Sequence, residues 1–215
     1  MLKRLFSWCY AATYDLFNGP AERAGLREQR QDLLTQATGA TIEIGAGTGL
    51  NLPHYPPAVT RLALIEPDPY MSRRLRRRAA QPGRNAEIQS AEIRSATADR
   101  LPFPDASFDT AVVTFTLCSV PDEQAALREI TRVLVPGGRL LFLEHVRSAD
   151  PRVAAKQDKA PFPYPLIGCH PNRDTLREIN ASPLAVESVR TGELPKAPEI
   201  ERPMIVGTAR RPANA

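Results

Sequence analysis

Thr41-Ile42-Glu43-Ile44-Gly45-Ala46-Gly47-Thr48-Gly49-Leu50-Asn51 decides the fold. It begins as a short, β-branched apolar run, the pattern of a buried strand. It then breaks into three glycines at alternate positions. Glycines placed after a strand let the backbone turn sharply and approach a ligand closely, because no Cβ intervenes. Glu43 is left as an acid at the end of a buried strand, which is costly unless a bound cation or a backbone amide meets it.

A second apolar run, Leu62-Ala63-Leu64-Ile65, closes on Glu66, twenty-one positions after Gly45. The dinucleotide fingerprint is G-x-G-x-x-G, with a pyrophosphate over a helix N-terminus. Here the pattern is Glu-x-Gly-x-Gly-x-Gly, and the third glycine comes one residue early. An acid at the offset of Glu66 can accept both hydroxyls of a ribose.

Together these features resemble the class I S-adenosylmethionine (SAM) methyltransferases. In that family the glycine loop passes under the methionine and ribose, and the acid after the second strand grips the ribose. SAM carries no phosphate, so an acid such as Glu43 is tolerated where a pyrophosphate would repel it. The resemblance implies a Rossmann-like α/β fold: seven strands, mostly parallel, the last antiparallel, with helices on both faces.

The rest of the chain fits that plan. Leu2, Leu5, Phe6, Cys9, Thr13 and Leu16 fall at helical spacing, which predicts an amphipathic helix that packs on the core, caps the site or touches a membrane surface. Asn18-Gly19-Pro20 reads as a break, residues 21–37 as a second helix, and Gly39 as its end. His54 and Tyr55 read as surface and packing residues. Asp68 and Pro69 predict an N-cap and first turn for a helix carrying Arg73, Arg74, Arg76, Arg77 and Arg78. These arginines wrap round the helix rather than forming one stripe, so they read as a solvated face rather than a nucleic-acid site.

Ala86-Glu87-Ile88-Gln89-Ser90 is nearly echoed by Ala91-Glu92-Ile93-Arg94-Ser95, which leaves the register of the third strand open. Residues 108–113 read as the fourth strand. A helix from Pro121-Asp122 is stopped by Pro136-Gly137-Gly138, and residues 139–144 read as the fifth strand. Beyond these come a helix over 172–180 and strands over 184–189 and 203–209. The expected organisation is one compact unit: N-terminal helices at 1–37 on the substrate side, and a cofactor-binding domain at 38–215 with a proline-rich lid at 150–171.

The bulk numbers narrow the classes. A chain of 215 residues with 42% hydrophobic and 24% charged residues is an ordinary globular composition. A net charge of +4 is too mild to argue for nucleic acid. The three cysteines include no C-x-x-C pair, so neither a disulfide framework nor a metal site is expected, and a cytoplasmic location fits. No apolar run approaches bilayer length. The N-terminus lacks a cleavage site for a signal peptide. Peripheral membrane contact stays open, and a monomer or homodimer is expected.

A narrower resemblance lies in Leu117-Cys118-Ser119-Val120, Glu144-His145-Val146 and Gly168-Cys169-His170-x-Asn172-Arg173-Asp174-Thr175. These are similar to the methyltransferase-like 7 group, whose animal members are alkyl thiol methyltransferases. The chain departs from that group at Lys156-Gln157-Asp158-Lys159 and Pro161-Phe162-Pro163-Tyr164-Pro165, where relatives carry a Trp-containing helix. Animal members also have a longer apolar N-terminal anchor.

The two resemblances imply a set of site residues. SAM is expected against Glu43, Gly45, Ala46, Gly47, Gly49 and Asn51 of the loop, and against Glu66 and Pro67. Its adenine is expected at Ala98 and Asp99, with Thr97 standing where many members carry an aspartate. Its methyl is expected near Thr114 and Leu117. The small-molecule acceptor is expected at Tyr14, Cys118, Cys169 and Arg173, with Cys118 and Cys169 as small apolar wall residues. His145 and His170 are the candidates for taking a proton or favouring a thiolate, or else bond structurally.

Methyl transfer from SAM is an in-line displacement that needs alignment more than a protein nucleophile. A thiol acceptor of pKa ~8.5 needs little help from a base, whereas an oxygen acceptor needs more. The competing readings are a nicotinamide-dependent oxidoreductase, a basic nucleic-acid or membrane-binding module, and a SAM sensor without catalysis.

Overall fold

Four apolar runs, at residues 41–44, 62–65, 110–114 and 140–143, are buried on both faces, as the central strands of a parallel sheet must be. The structure, a computed structural model, describes residues 2–81, 91–160 and 168–213. Strands β1 (Gly39–Ile44), β2 (Val59–Ile65), β3 (Glu92–Arg94), β4 (Phe108–Thr114), β5 (Leu134–His145), β6 (Ala185–Glu193) and β7 (Pro203–Arg210) form one sheet in the order β3-β2-β1-β4-β5-β7-β6. β1 through β5 pair in parallel, and β7 runs antiparallel to both β5 and β6. This is the expected sheet with its reversed last strand. The order turns back between β1 and β4, and a crevice opens at their carboxyl ends.

Helices cover both faces: α1 (Leu2–Ala21), α2 (Arg27–Leu34), α3 (Pro69–Ala79), α4 (Glu123–Val133), α5 (Pro151–Gln157) and α6 (Thr175–Ala181). On one face Leu127, Ile130 and Ile179 pack on Ile42, Phe108 and Phe142. On the other, Leu26, Leu33, Leu34 and Leu75 pack on Leu62, Leu64 and Leu141. Each fully buried side chain of this size contributes about 1.5–3 kcal/mol. Ala21, Leu26, Leu33, Leu34 and Ala37 therefore share the second core with the sheet.

Several local expectations need correction. α1 runs through Asn18-Gly19-Pro20, and the break comes at Gly25 (φ +119) inside a π-helical turn, Glu22–Leu26. A φ in that region is open to glycine at no steric cost. α2 ends at Leu34, and Gly39 opens β1 instead of closing the helix. The Asp109 carboxylate accepts from the Ala40 amide at 2.8 Å there. α4 stops at Val133, before Pro136-Gly137-Gly138, which lie within β5. The Asp68 cap is as predicted, accepting from the amides of Tyr70 and Met71 at 2.9 Å each. Of the echoed segment, residues 86–90 lie outside the described residues, as does Pro161-Phe162-Pro163-Tyr164-Pro165 of the proposed lid.

The predicted apolar stripe of α1 does not pack on the core. Leu5 (59%), Trp8 (53%), Leu16 (75%) and Phe17 (73%) are exposed, as is Cys9. The helix is held by the opposite face. The Ser7 hydroxyl donates to Asp68, and Asp15 pairs with Arg74 at 2.8 Å and Arg78 at 2.7 Å. Two of the α3 arginines are thus committed to α1, and Arg76 donates to the Ile93 carbonyl. Among the described residues no helix is long and apolar enough to cross a membrane.

Candidate functional site

The glycine loop is anchored to the end of β2. The amides of Gly45 and Ala46 both donate to the Ile65 carbonyl at 2.9 Å. Gly45 has φ +72, and a Cβ there would lie 2.4 Å from Thr116 Oγ1, so only glycine lets the loop rest on the end of β4. Beyond it the Gly47 amide donates to Glu66 Oε2 at 2.8 Å, and the Asp68 amide donates to Oε1 at 2.8 Å. Burial pushes the Glu66 carboxyl up, and the two amides oppose that shift. Each carboxylate oxygen keeps a lone pair for a further donor, which is what gripping a ribose diol requires.

Glu43 meets neither a cation nor a backbone amide. Its donors are side chains, Asn51 Nδ2 at 2.9 Å and the Tyr55 hydroxyl at 2.7 Å. Tyr55 reaches it because the chain folds back through a tight turn at Leu52–His54. Tyr55 is a buried partner rather than a surface residue. The network continues outward: Arg30 donates to Asn51 Oδ1 at 3.0 Å and to Glu22 Oε1 at 2.9 Å. Asn51 also donates to Thr114 Oγ1 at 3.0 Å. Burial raises the Glu43 carboxyl to about 7. Glu43, Ala46, Asn51 and Thr114 thus border a small cavity that Tyr14 and Arg30 close.

Next to it lies a cleft of about 540 Å³ at the carboxyl ends of β1, β2 and β4. Gly45, Gly47, Glu66 and Pro67 form one side, and Ala96, Thr97 and Ala98 another. Phe6, Tyr10 and Tyr14 of α1 roof it. They stand at i, i+4 and i+8, with ring centroids 6.3 Å and 5.5 Å apart in succession. Burial lifts the Tyr14 phenol to about 12, and Tyr10 is pushed higher still, so both hydroxyls stay protonated.

The floor is Phe115, Thr116 and Ser119. Phe115 has φ +54, a genuine outlier for a bulky residue and one that costs about 1–3 kcal/mol. Its amide donates to the Leu143 carbonyl at 2.8 Å, and its ring stacks on His145 at 5.5 Å. Backbone strain of this kind gathers where a side chain must be aimed.

Behind this floor three distant segments meet. His145 Nε2 lies 3.0 Å from Cys169 Sγ, which lies 4.0 Å from Cys118 Sγ. All three residues are buried. Burial drives His145 down to about 4, and the hydrogen bond with Cys169, then burial, pushes the Cys118 thiol well up. Neighbouring Glu144 is wholly buried: its Oε1 accepts from the Thr116 and Leu117 amides at 2.8 and 3.0 Å, while Oε2 has no hydrogen-bond partner among the described residues. That carboxyl is raised to about 7 by desolvation.

The structure thus brings Gly45, Gly47, Glu66, Pro67, Ala98 and Tyr14 to the cleft, with Cys118, Cys169 and His145 behind its floor. Glu43, Ala46, Asn51 and Thr114 border the adjoining cavity, which shares Tyr14, Gly45 and Gly47 with the cleft, whereas Gly49, Asp99, Leu117, Arg173 and His170 are not brought to either. Gly49 faces Leu52 and Leu75. Asp99 is exposed and away from the cleft. Leu117 is wholly buried. Arg173 is spent on the Leu117 carbonyl at 2.6 Å and on Glu123 at 3.5 Å. The His170 side chain is exposed, and only its amide joins the site, donating to the Cys118 carbonyl at 2.9 Å. Sequence reasoning passed over Phe6, Tyr10, Phe115 and Arg30. The four-residue aromatic spacing of Phe6, Tyr10 and Tyr14 was a usable signal, whereas nothing local marks Arg30.

The family described as "Methyltransferase domain" matches residues 42–142. The human thiol S-methyltransferase TMT1A is 31% identical over 172 residues, covering 78% of this chain and 69% of that protein. The chain spans about two thirds of the length of the curated thiol S-methyltransferases of this type. Among solved structures, a SAM-dependent methyltransferase of Thermotoga maritima, titled a possible histamine N-methyltransferase, superposes with a TM-score of 0.67 at 20% identity over 95% of this chain and 97% of that one. Geranyl diphosphate C-methyltransferase of Streptomyces coelicolor, in complex with S-adenosyl-L-homocysteine, gives 0.64 at 16% identity over 87% and 76%.

Proposed function

The chain belongs to the SAM-dependent methyltransferase family, and from that premise we propose that it transfers the methyl group of SAM to a small, partly apolar acceptor, a thiol by preference. The observation that carries this reading is the aromatic-roofed cleft with the glycine loop and Glu66 on one side and a thiol–imidazole wall behind its floor. SAM lies against Gly45, Gly47, Glu66 and Pro67, with its adenine beside Ala98. The aromatic roof excludes water and aligns the acceptor with the methyl, the two contributions an in-line displacement needs most.

The preference for a thiol rests on basicity. His145 is held near 4 by burial, so at neutral pH it is a weak base. An acceptor of pKa ~8.5 ionises without a strong base, and an alcohol does not. The likeness to a thiol S-methyltransferase points the same way. The test is a screen of alkyl thiols, phenols and amines with labelled SAM. Methyl thioether formation well above the other classes is expected, and a preferred amine or phenol would overturn the thiol reading.

A second reading concerns where the enzyme works. The outward face of α1, with Leu5, Trp8, Leu16 and Phe17, lies beside the arginine-rich α3. Apolar and basic surface together suit peripheral contact with an anionic lipid surface on the cytoplasmic side, where free cysteines persist. Co-flotation with phosphatidylserine vesicles, but not with phosphatidylcholine alone, is the expected result.

A further inference from the structure

We propose that Cys118, His145 and Cys169 form a binding site for a soft divalent cation, zinc by its donor chemistry, set directly behind the floor of the cleft. They are the one group of three potential ligands brought together among the described residues, with all ligand atoms within 4.8 Å of one another. Tetrahedral zinc holds sulfur at about 2.3 Å and imidazole nitrogen at about 2.0–2.1 Å, which places two sulfurs on one ion about 3.8 Å apart. The observed Sγ–Sγ separation is 4.0 Å, and Nε2 lies 3.0 Å from Cys169 Sγ. A shift of well under an ångström per group would seat an ion.

The surroundings favour this donor set. The two thiols sit with Ala160 and Ile200 in an apolar cluster, where a lone thiolate would be expensive. A divalent ion removes that cost. Binding releases one proton from each thiol to solvent, and the Cys₂His site is then neutral overall. Cys₂His with an open fourth position is an established catalytic zinc arrangement in other proteins.

The open position falls toward the acceptor. Ser119, which lines the cleft, has its Oγ 3.3 Å from Cys118 Sγ, and Phe115, also in the floor, stacks on His145. Cys169 and His145 keep 7% and 8% exposure, whereas Cys118 keeps 1%. In the fourth position the ion would take an acceptor thiol as its thiolate, the thiol proton leaving to solvent. The sulfur lone pair then forms the new S–CH3 bond, while the S–CH3 bond of SAM breaks with its electron pair going to the departing sulfur. This second step rests on the thiol reading above, but occupancy of the site does not.

Zinc content and cobalt(II) substitution of the full chain, purified under reductant, test the proposal. Close to one zinc per chain is expected. Cobalt should give the charge-transfer band of thiolate ligation, lost in Cys118→Ser and Cys169→Ser and kept in Cys9→Ser. Thermal protection by SAM reports that each variant is folded, and the zinc content of the unaltered chain needs no variant. A folded, SAM-binding chain with neither zinc nor a cobalt–thiolate band overturns the site. Chelation should lower methylation of a thiol at least tenfold, with zinc restoring it. A cobalt–thiolate band in a chain that methylates no thiol keeps the site and overturns the thiol reading instead.

Discussion

The two halves of the cleft solve opposite problems. On the cofactor half, acids are buried and made tolerable by donors: Glu66 by two backbone amides, Glu43 by Asn51 and Tyr55. On the proposed acceptor half, behind the floor, two thiols and an imidazole are buried against one another, the Phe115 ring and the Ser119 hydroxyl. The first is a stiff polar cradle assembled around one contiguous motif. The second is a soft apolar wall drawn from three separate segments. On the proposed function, the half that recognises a constant, polar cofactor is fixed by hydrogen bonds, and the half that meets a variable apolar guest is shaped by packing.

The largest test of this contrast is Arg30→Ala. It strands Glu22 and Asn51 in a buried network, and breaking a buried ion pair on one side costs about 3–5 kcal/mol. Chemical denaturation should show a loss of that size, and a loss below about 1 kcal/mol would break the picture of a stiff cradle. Next, Glu66→Ala should weaken SAM binding by about 10–100-fold in titration calorimetry, the value of one charge-assisted hydrogen bond. His170→Ala, on an exposed side chain, should leave both SAM binding and turnover nearly unchanged.

A third test separates the halves by sign. The Glu43 carboxyl is raised from 4.5 to about 7 in the fold. It contributes stability that is full below 4.5 and lost as pH rises through about 7. His145 is lowered from 6.5 to about 4. Its contribution is full above 6.5 and lost as pH falls through about 4. In metal-free protein, subtracting the melting profile of Glu43→Gln from that of the unaltered chain should leave a component that falls between pH 4.5 and 7. For His145→Gln the component should rise between pH 4 and 6.5. Each amounts to on the order of 10 °C over the full window, from about 1.4 kcal/mol per pH unit and about 2–4 °C per kcal/mol, and components of the same sign would refute the contrast.

The smallest expected effect is on the outer face of α1. Leu16→Ser should change stability by no more than about 0.5 kcal/mol, while lowering vesicle binding. A larger loss would mean that this face is packed rather than exposed.

How much of this was legible follows from how local each cause is. The glycine loop, Glu66 and the Asp68 cap were readable because strand periodicity, turn chemistry and capping act over a few residues, whereas the reversal of the last strand came from the family resemblance. The face that α1 buries was misjudged. Leu5, Cys9 and Leu16 obey helical spacing, but Ser7 and Asp15 bind Asp68, Arg74 and Arg78 on the other side. Of the expected stripe Phe6 turns to the cleft, and with Tyr10 and Tyr14 it does the covering.

The sequence by itself determined the family and the strand, glycine loop and cap of the first half, because each rests on a short pattern whose physics is local, and the sheet followed from the family resemblance. It could not decide that Glu43 is met by Tyr55, that Arg173 faces a carbonyl, or that cysteines at 118 and 169 converge on a histidine at 145. Those meetings depend on where strand ends and returning loops come to lie. Only close packing of the whole chain fixes that to within a hydrogen bond's length.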